Sequence, residues 1–397
     1  MVELNPFAHE FHEDPYPTYR WLRDQDPCYR NEDLGFWALT RYADVLDASK
    51  DWETFSSADG PMIEKIDRGY LDAMPMMIAM DPPGHDGLRA LVSRVFTPRQ
   101  VAALEPAIRS CAQGYLDQVV EAGGGDFVAD FACPLPMDVI FTLLGVPAAD
   151  RLKVRSWMDT SLERDQDDPG VPPRAMEASA HMAGYWFETV ARLRAHPGDD
   201  FISRLIAAEI ETDDGGTHRL TDAEVAGFCA LIGAAGNETA TKLLANCVVL
   251  LSRFPDERAR VMADPTLIAP ALEETLRYWA PSQYQGRTAT REVSLHGKTI
   301  PTGDRVILVT GSANRDERVY PEADRFDVAR HSSFIGLGFG YGAHFCIGAA
   351  LARMETRIAL EEFLSRFPEY VIDEGGLQRV HMSNVHGFEH VPFRTKH

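Results

Sequence analysis

Four groups of residues carry side chains whose types and spacing could do chemistry. Cys346 lies in FIGLGFGYGAHFCIGAALARMETRIALEEFLSRFP, from Phe334 to Pro368, where a glycine-rich loop runs into an amphipathic helix. A thiol at such a junction meets unpaired N–H groups and the positive end of the helix dipole, which favours the thiolate and suits a metal ligand. A buried structural thiol under a glycine turn is the other reading of a lone cysteine. The alternating glycines from Gly336 to Gly342 let the loop lie against a large, flat neighbour. His85 and Arg89, four apart, share a helical face and can grip an anion together, although such a pair is usually a solvated surface. Ala235-Gly236-Asn237-Glu238-Thr239 sets a glycine, an acid and an alcohol in an apolar helical stretch. A mid-helix glycine costs about 1 kcal/mol relative to alanine, and a buried acid and alcohol need partners. Proton handling is the chemistry this group offers, and a threonine bonded back to a helix carbonyl fits the same position. Glu274 and Arg277, three apart, are by spacing alone an ordinary helical ion pair.

The elements that must position these groups are mostly helical. Thr221 and Glu224 form a capping box that opens an apolar helix of about 30 residues, roughly 45 Å long, ending at Pro255. From Gly35 the pattern predicts a strand feeding a helix, and from Gln285 to Val309 alternating residues predict strands with turns at His296-Gly297 and Pro301-Thr302-Gly303. Between Ala58 and Met80 periodicity fails and methionines crowd together, giving an irregular segment able to adapt to varied apolar shapes. Residues 101–210 read as helices without a sharp motif.

A chain of 397 residues, 45% hydrophobic, can bury a sizeable core, and the candidate breaks at 165–174 and 212–217 are short polar loops, so a single domain over 1–397 is expected. A net charge of −21 argues against a nucleic-acid partner. Six cysteines without a CxxC pair fit a reducing compartment rather than a disulfide framework or zinc site. The first residues hold no apolar run that could be a signal peptide or membrane anchor, so a cytoplasmic monomer is expected.

Phe339, Gly340, Gly342, His344, Cys346 and Gly348 form an F-G-x-G-x-H-x-C-x-G string that closely resembles the haem-binding loop of the cytochromes P450. Three more stretches resemble that family's motifs in its order: the H-x-x-x-R of His85 and Arg89, the [A/G]-G-x-[D/E]-T ending at Thr239, and the ExxR of Glu274 and Arg277. The resemblance spans essentially the whole chain. It implies a mainly α fold with a small β-rich lobe, the β-rich parts lying near 30–60, 285–310 and 370–397, and haem b between the central helix and the helix after Cys346. It implies that Cys346 is the axial ligand of the haem iron, that Phe339 packs beside it, and that Gly348 leaves room. His85, Arg89, Arg287 and His344 would face the propionates. Thr239 would hold dioxygen and its water, and Glu238 would relay protons, with Ala240 standing where the family often has Thr or Ser. Glu274, Arg277 and Arg325 would form a structural network bracing the cysteine loop. Substrate-pocket walls implied by family position are Met76, Met77 and Ile78, then Phe228, Leu231, Ala234 and Ala235, then Gln283 and Tyr284, and finally Val385 to Phe388.

The activity so implied is a haem-thiolate monooxygenase that inserts one oxygen atom of O2 into a C–H or C=C bond of an apolar small molecule. Electrons would come from NAD(P)H through a separate ferredoxin and ferredoxin reductase, docking on the cysteine side near Arg94, Arg99 or Arg353. A peroxide-driven peroxygenase and a non-catalytic haem-thiolate ligand binder are the alternatives.

Overall fold

The computed structural model describes residues 3–163, 165, 170–211, 216–382 and 384–395. Its organising element is the helix Asp222–Arg253. The Thr221 hydroxyl accepts from the Glu224 N–H, and the Glu224 carboxylate accepts from the Thr221 N–H at 2.8 Å, so two orphan donors of the first turn are satisfied reciprocally. Thirty-two residues at 1.5 Å per residue span about 48 Å. Buried side chains occur round its whole circumference from Ala240 to Leu251, as expected of a helix through a core. Helices Pro134–Leu143, Pro173–Ala195, Ile268–Tyr278 and Ala349–Arg366 all pack on it, and Glu105–Ala122 packs on the last of these. The main apolar core runs from Leu4 to Phe393 without a break between these helices.

The β-rich lobe is a five-stranded sheet ordered Cys28–Asn31, Phe36–Leu39, Arg305–Leu308, Gln285–Ala289 and Phe55–Ser56. Leu308 lies opposite Leu39 in a parallel pair and opposite Gln285 in an antiparallel one. All four residues of Phe36–Leu39 and of Arg305–Leu308 are buried, which is why these short runs are apolar or aromatic rather than alternating, apart from Arg305, whose guanidinium donates to the Ile63 carbonyl and the Thr288 hydroxyl. A smaller core of Trp37, Leu39, Val306, Leu308 and Tyr320 sits beneath this sheet. A second sheet joins Tyr370–Ile372, Pro392–Thr395 and Gly124–Asp126.

Helices dominate and strands fall in all three expected intervals. Three strands also occur where helix was expected or no strand was read. Gly124–Asp126 owes its extended form to pairing with Pro392–Thr395, a long-range partner invisible to local pattern. Glu209–Glu211 and Thr217–Arg219 form a hairpin. The interval read as irregular contains helix Arg68–Ala73, started by the Asp67 carboxylate accepting from the Tyr70 N–H at 3.0 Å, and a single 3-10 turn at Met77–Ala79. Of the two polar loops, residues 166–169 and 212–215 lie outside the described residues. Among the described residues no single helix is long and apolar enough to cross a membrane. One bent pair, Val128–Leu143 with Ala148–Ser161, qualifies by length and composition alone. All six cysteines are unpaired.

Candidate active site

The cysteine loop is held from three directions. Cys346 N–H donates to the Phe339 carbonyl at 2.9 Å, closing the loop across its own glycines. Gly342, at φ +72°, passes so close to the preceding lobe that a Cβ there would lie 2.3 Å from the Ser49 carbonyl oxygen, so only glycine fits. From below, Leu337 N–H donates at 2.8 Å to the Asn314 side-chain oxygen, and the Asn314 backbone carbonyl accepts from Arg277 at 3.1 Å. Helix Ala349–Arg366 begins three residues beyond the cysteine. Burial pushes the Cys346 thiol up from its ordinary pKa, while the N–H groups of Gly348 and Ala349 and the guanidinium groups of Arg89 and Arg353 pull it down. The helix-terminus effect expected from the sequence is therefore present but outweighed by desolvation. Arg353 also stacks its guanidinium 4.4 Å over the Phe339 ring.

The brace beneath the loop is centred on Arg277. It forks onto Glu274 at 2.7 and 2.8 Å and donates to the carbonyls of Asn314, Ala323 and Arg325. Both side chains are buried. Glu274 also accepts from the Asp327 N–H at 3.0 Å and from Arg330 Nε at 3.1 Å. The expectation for Arg325 needs correction: its side chain is 56% exposed and only skirts Glu322 and Asp327, and it contributes its backbone carbonyl alone. Arg330 is the third charged member, its side chain 13% exposed and directed onto Glu274.

A cavity of about 250 Å³, walled mostly by apolar side chains, opens between this loop and the central helix. The central helix presents Phe228, Leu231, Ile232, Ala235, Gly236, Thr239, Ala240 and Leu243, a single helical face, and the loop presents Phe339, His344, Cys346 and Gly348 opposite. Met77 and Ile78 complete the wall. The segment carrying them sits tight on the helix because residue 227 is glycine, where a Cβ would fall 2.1 Å from the Pro75 carbonyl oxygen.

One end of the cavity is cationic. Arg287 is buried, donates only to its neighbour's Gly286 carbonyl, and has no carboxylate partner among the described residues. Burial lowers its pKa to about 10, which leaves it charged at neutral pH. His85 is fully buried, with Nδ1 2.9 Å from Asp86 and Nε2 unpartnered. His344, 4.4 Å from the His85 ring, donates from Nε2 to the Met80 carbonyl at 3.0 Å; burial, then Arg287, lowers its pKa to about 3, so it is neutral. Arg89 donates to the Phe345 carbonyl at 2.7 Å and lines the same cavity. A buried guanidinium with no carboxylate in contact, steadied only at longer range by Asp81, is expensive, and an orphaned buried imidazole nitrogen costs about 1–3 kcal/mol. A ligand bearing carboxylates resolves both, which is the fit that haem propionates offer.

Thr239 faces the cavity and its hydroxyl donates back to the Ala235 carbonyl at 2.9 Å. Glu238 does not line the cavity. One residue earlier is 100° round the helix, and there it pairs with the buried ammonium of Lys242 at 3.1 Å. Other expected wall residues are also displaced. Gln283 is buried and bonded to the Ala280 carbonyl, Tyr284 is buried in the core, and Phe388 lies tilted against Trp279 with the Arg379 guanidinium over its ring. Val385 bridges Ser282 and Met382, while Met76 and Ala234 fall beside the lining face. In their place the cavity takes Phe96, Ile140, Leu243, Thr310 and Glu355, none of which stands in a motif.

A family model described as Cytochrome P450 matches residues 180–385. Cytochrome P450 123 of Mycobacterium tuberculosis is 44% identical to this chain over 99% of it and 97% of the relative. Vitamin D(3) 25-hydroxylase of Pseudonocardia autotrophica is 37% identical over 97% of this chain and 95% of that protein. Among solved structures, cytochrome P450 CYP109Q5 from Chondromyces apiculatus superposes with a TM-score of 0.89 at 32% identity, covering 100% of this chain and 98% of the other.

Proposed function

Because this chain belongs to the cytochrome P450 family, whose enzymes use haem iron and are generally monooxygenases, we propose that it inserts one oxygen atom of O2 into a C–H or C=C bond of an apolar small molecule, with Cys346 as the iron's thiolate ligand. The supporting observation is that one cavity is shared by the Cys346 sulfur, the Thr239 hydroxyl and the cationic end made by His85, Arg89 and Arg287. Thiolate-ligated haem, when bound, activates O2 for that insertion. The residues of this chain do the rest. Arg287, His85 and Arg89 would hold the propionates. Phe228, Leu231, Ile232, Ala235 and Ile78 exclude water and offer an apolar surface to the substrate. The vitamin D(3) 25-hydroxylase among the relatives supports a bulky, largely apolar substrate class.

Thr239 holds a proton at its hydroxyl oxygen on the cavity wall. To pass that proton on, the hydroxyl must turn from the Ala235 carbonyl toward the cavity, and to reload it, Glu238 must be released from Lys242. Reducing equivalents come from NAD(P)H through a ferredoxin and its reductase, docking on the cysteine side of the molecule, where Arg353 lies over the Phe339 ring. The test is isotope labelling. A panel of apolar compounds is screened for those that shift the ferric spectrum, and each hit is turned over under 18O2 with ferredoxin, reductase and NADPH. One 18O atom per product, dependent on the ferredoxin, is expected. Product formed only with hydrogen peroxide, or none from any spectrally active compound, would contradict the monooxygenase reading.

A further inference from the structure

Three histidines meet where the two ends of the chain come together, and none of them lines the cavity. His9 and His12 lie on the short helix His9–Glu13, and His381 follows the strand Gln378–Arg379. The His9 and His381 rings stack, with centroids 3.7 Å apart and 7° between their planes, and the His12 ring stands edge-on to His381 at 5.6 Å. His12 is 6% exposed, and its Nε2 donates to the Pro6 carbonyl at 2.9 Å. Neutral imidazoles stack without penalty, whereas two imidazolium ions at this separation repel one another.

The stack joins two segments that are anchored elsewhere. On the N-terminal side, Leu4 and Phe7 are buried in the main core, and Asn31 Nδ2 donates to the Leu4 carbonyl at 3.0 Å. On the other side, Gln283 N–H donates to the Asn384 carbonyl and His386 N–H to the Pro281 carbonyl, both at 2.8 Å. Pro281 and Ser282 line the cavity, so the chain just beyond His381 is bonded directly to the cavity wall.

The charges that face the three rings are mixed. Glu13 on the short helix and Glu389 on the strand Phe388–His390 favour a proton on His381, and Arg379 opposes one on His12. Arg379 lies over the Trp279 and Phe388 rings and beside His386, and Asp14 and Tyr16 face it. Burial, then Arg379 and His12, pushes the His386 pKa far down. Burial and then His381 lower the His12 pKa to about 4, and burial and then His9 lower that of His381.

We infer that the His9–His381 stack, with His12 beside it, is a pH-sensitive latch: neutral rings hold the N-terminal strap on the C-terminal strand pair, and acid opens the strap and loosens the Pro281–Ser282 wall. Each ring takes one proton from solvent as the strap leaves, and no electron moves. An opened strap binds protons near the ordinary histidine value of about 6.5, whereas docked His12 refuses one until about 4. Opening is therefore favoured as pH falls through that interval and is insensitive to pH above it. His12 alone raises the opening equilibrium on the order of 30-fold between pH 8 and pH 5.

Amide hydrogen exchange of the haem-loaded full chain at pH 8 and pH 5, corrected for the intrinsic rate at each pH, reads the latch peptide by peptide. Nothing in this readout depends on which residue ligates the iron. Residues 3–13, and peptides carrying Gln283 and His386, should exchange on the order of 30-fold faster at pH 5 beyond the correction, while the central helix should not. His381→Lys, which fixes a charge in the stack, should open the strap already at pH 8. A chain with both His12→Gln and His381→Phe, which keeps a ring on His9 without its charge, should exchange alike at the two pH values. No added exchange of the strap at pH 5, an equal gain over the central helix, a closed strap in H381K or a full pH response in the double variant overturns the inference. The pH comparison needs only the wild type, so a variant that fails to fold leaves the test intact.

Discussion

Alanine replacements of Arg277, Arg330 and Arg325 should fall in a steep order that spacing alone would not give. Arg277→Ala breaks a buried ion pair, which costs about 3–5 kcal/mol. It also removes the donor from the carbonyls of Asn314 and Ala323, each worth about 1 kcal/mol or more when left unpaired in the interior, while the Arg325 carbonyl keeps its bond from Arg330. Roughly 6 kcal/mol or more in total consumes much of a stability of about 5–15 kcal/mol, so little haem-loaded protein should accumulate. Arg330→Ala removes one charge-assisted bond to Glu274 and donors to the carbonyls of Pro321, Glu322 and Arg325, at a more exposed edge; about 2 kcal/mol is expected. Arg325→Ala should lie within about 0.5 kcal/mol of wild type, since its exposed side chain contacts acids only at 3.5 and 4.0 Å and its carbonyl is untouched. Urea unfolding followed by far-UV dichroism, with haem-to-protein ratios on the same samples, reads all three. A wild-type midpoint for R277A, or equal losses for R325A and R330A, would refute the network.

Thr239→Ala should fold normally, since it loses one internal bond, but should consume several-fold more NADPH per product; unchanged coupling would remove Thr239 from proton handling. Arg287→Ala should lower haem retention on gel filtration, with Arg287→Lys recovering part of it, and full retention by both would show that the cationic end does not hold the propionates. For pH, burial lowers the His12 pKa to about 4, with His381 acting in the same direction. The unfolded chain therefore binds a proton below about 6.5 that the folded chain refuses until about 4, so this contribution, up to about 3 kcal/mol, is present above pH 6.5 and fades toward pH 4. His12→Gln should flatten the fall in urea midpoint between pH 7 and 4.5, and an equal fall in both proteins would contradict the assignment.

What could be read from the sequence was chemistry confined to one short string. The cysteine loop is legible because a tight turn, a close approach to Ser49 and a ligand all act within ten residues, and the Thr221 capping box because its two bonds are local. What could not be read depends on angle or distance. Glu238 and Thr239 are neighbours in sequence, yet 100° of helix rotation puts one in the cavity and the other against Lys242. Arg325 and Arg330 lie in one irregular segment, and its backbone path, with Glu322 at φ +51°, decides which side chain turns inward. Phe96, Ile140 and Glu355 reach the cavity from three separate helices or helix ends, and no spacing rule links them.

The central claim is that Cys346 is the thiolate ligand of a bound haem. Purified protein, reduced with dithionite under carbon monoxide, tests it most directly, with Cys346→Ala alongside. The account predicts a strongly red-shifted Soret band in the wild type that Cys346→Ala lacks. A folded, haem-loaded wild type without that band, or a Cys346→Ala variant that keeps it, would contradict the account.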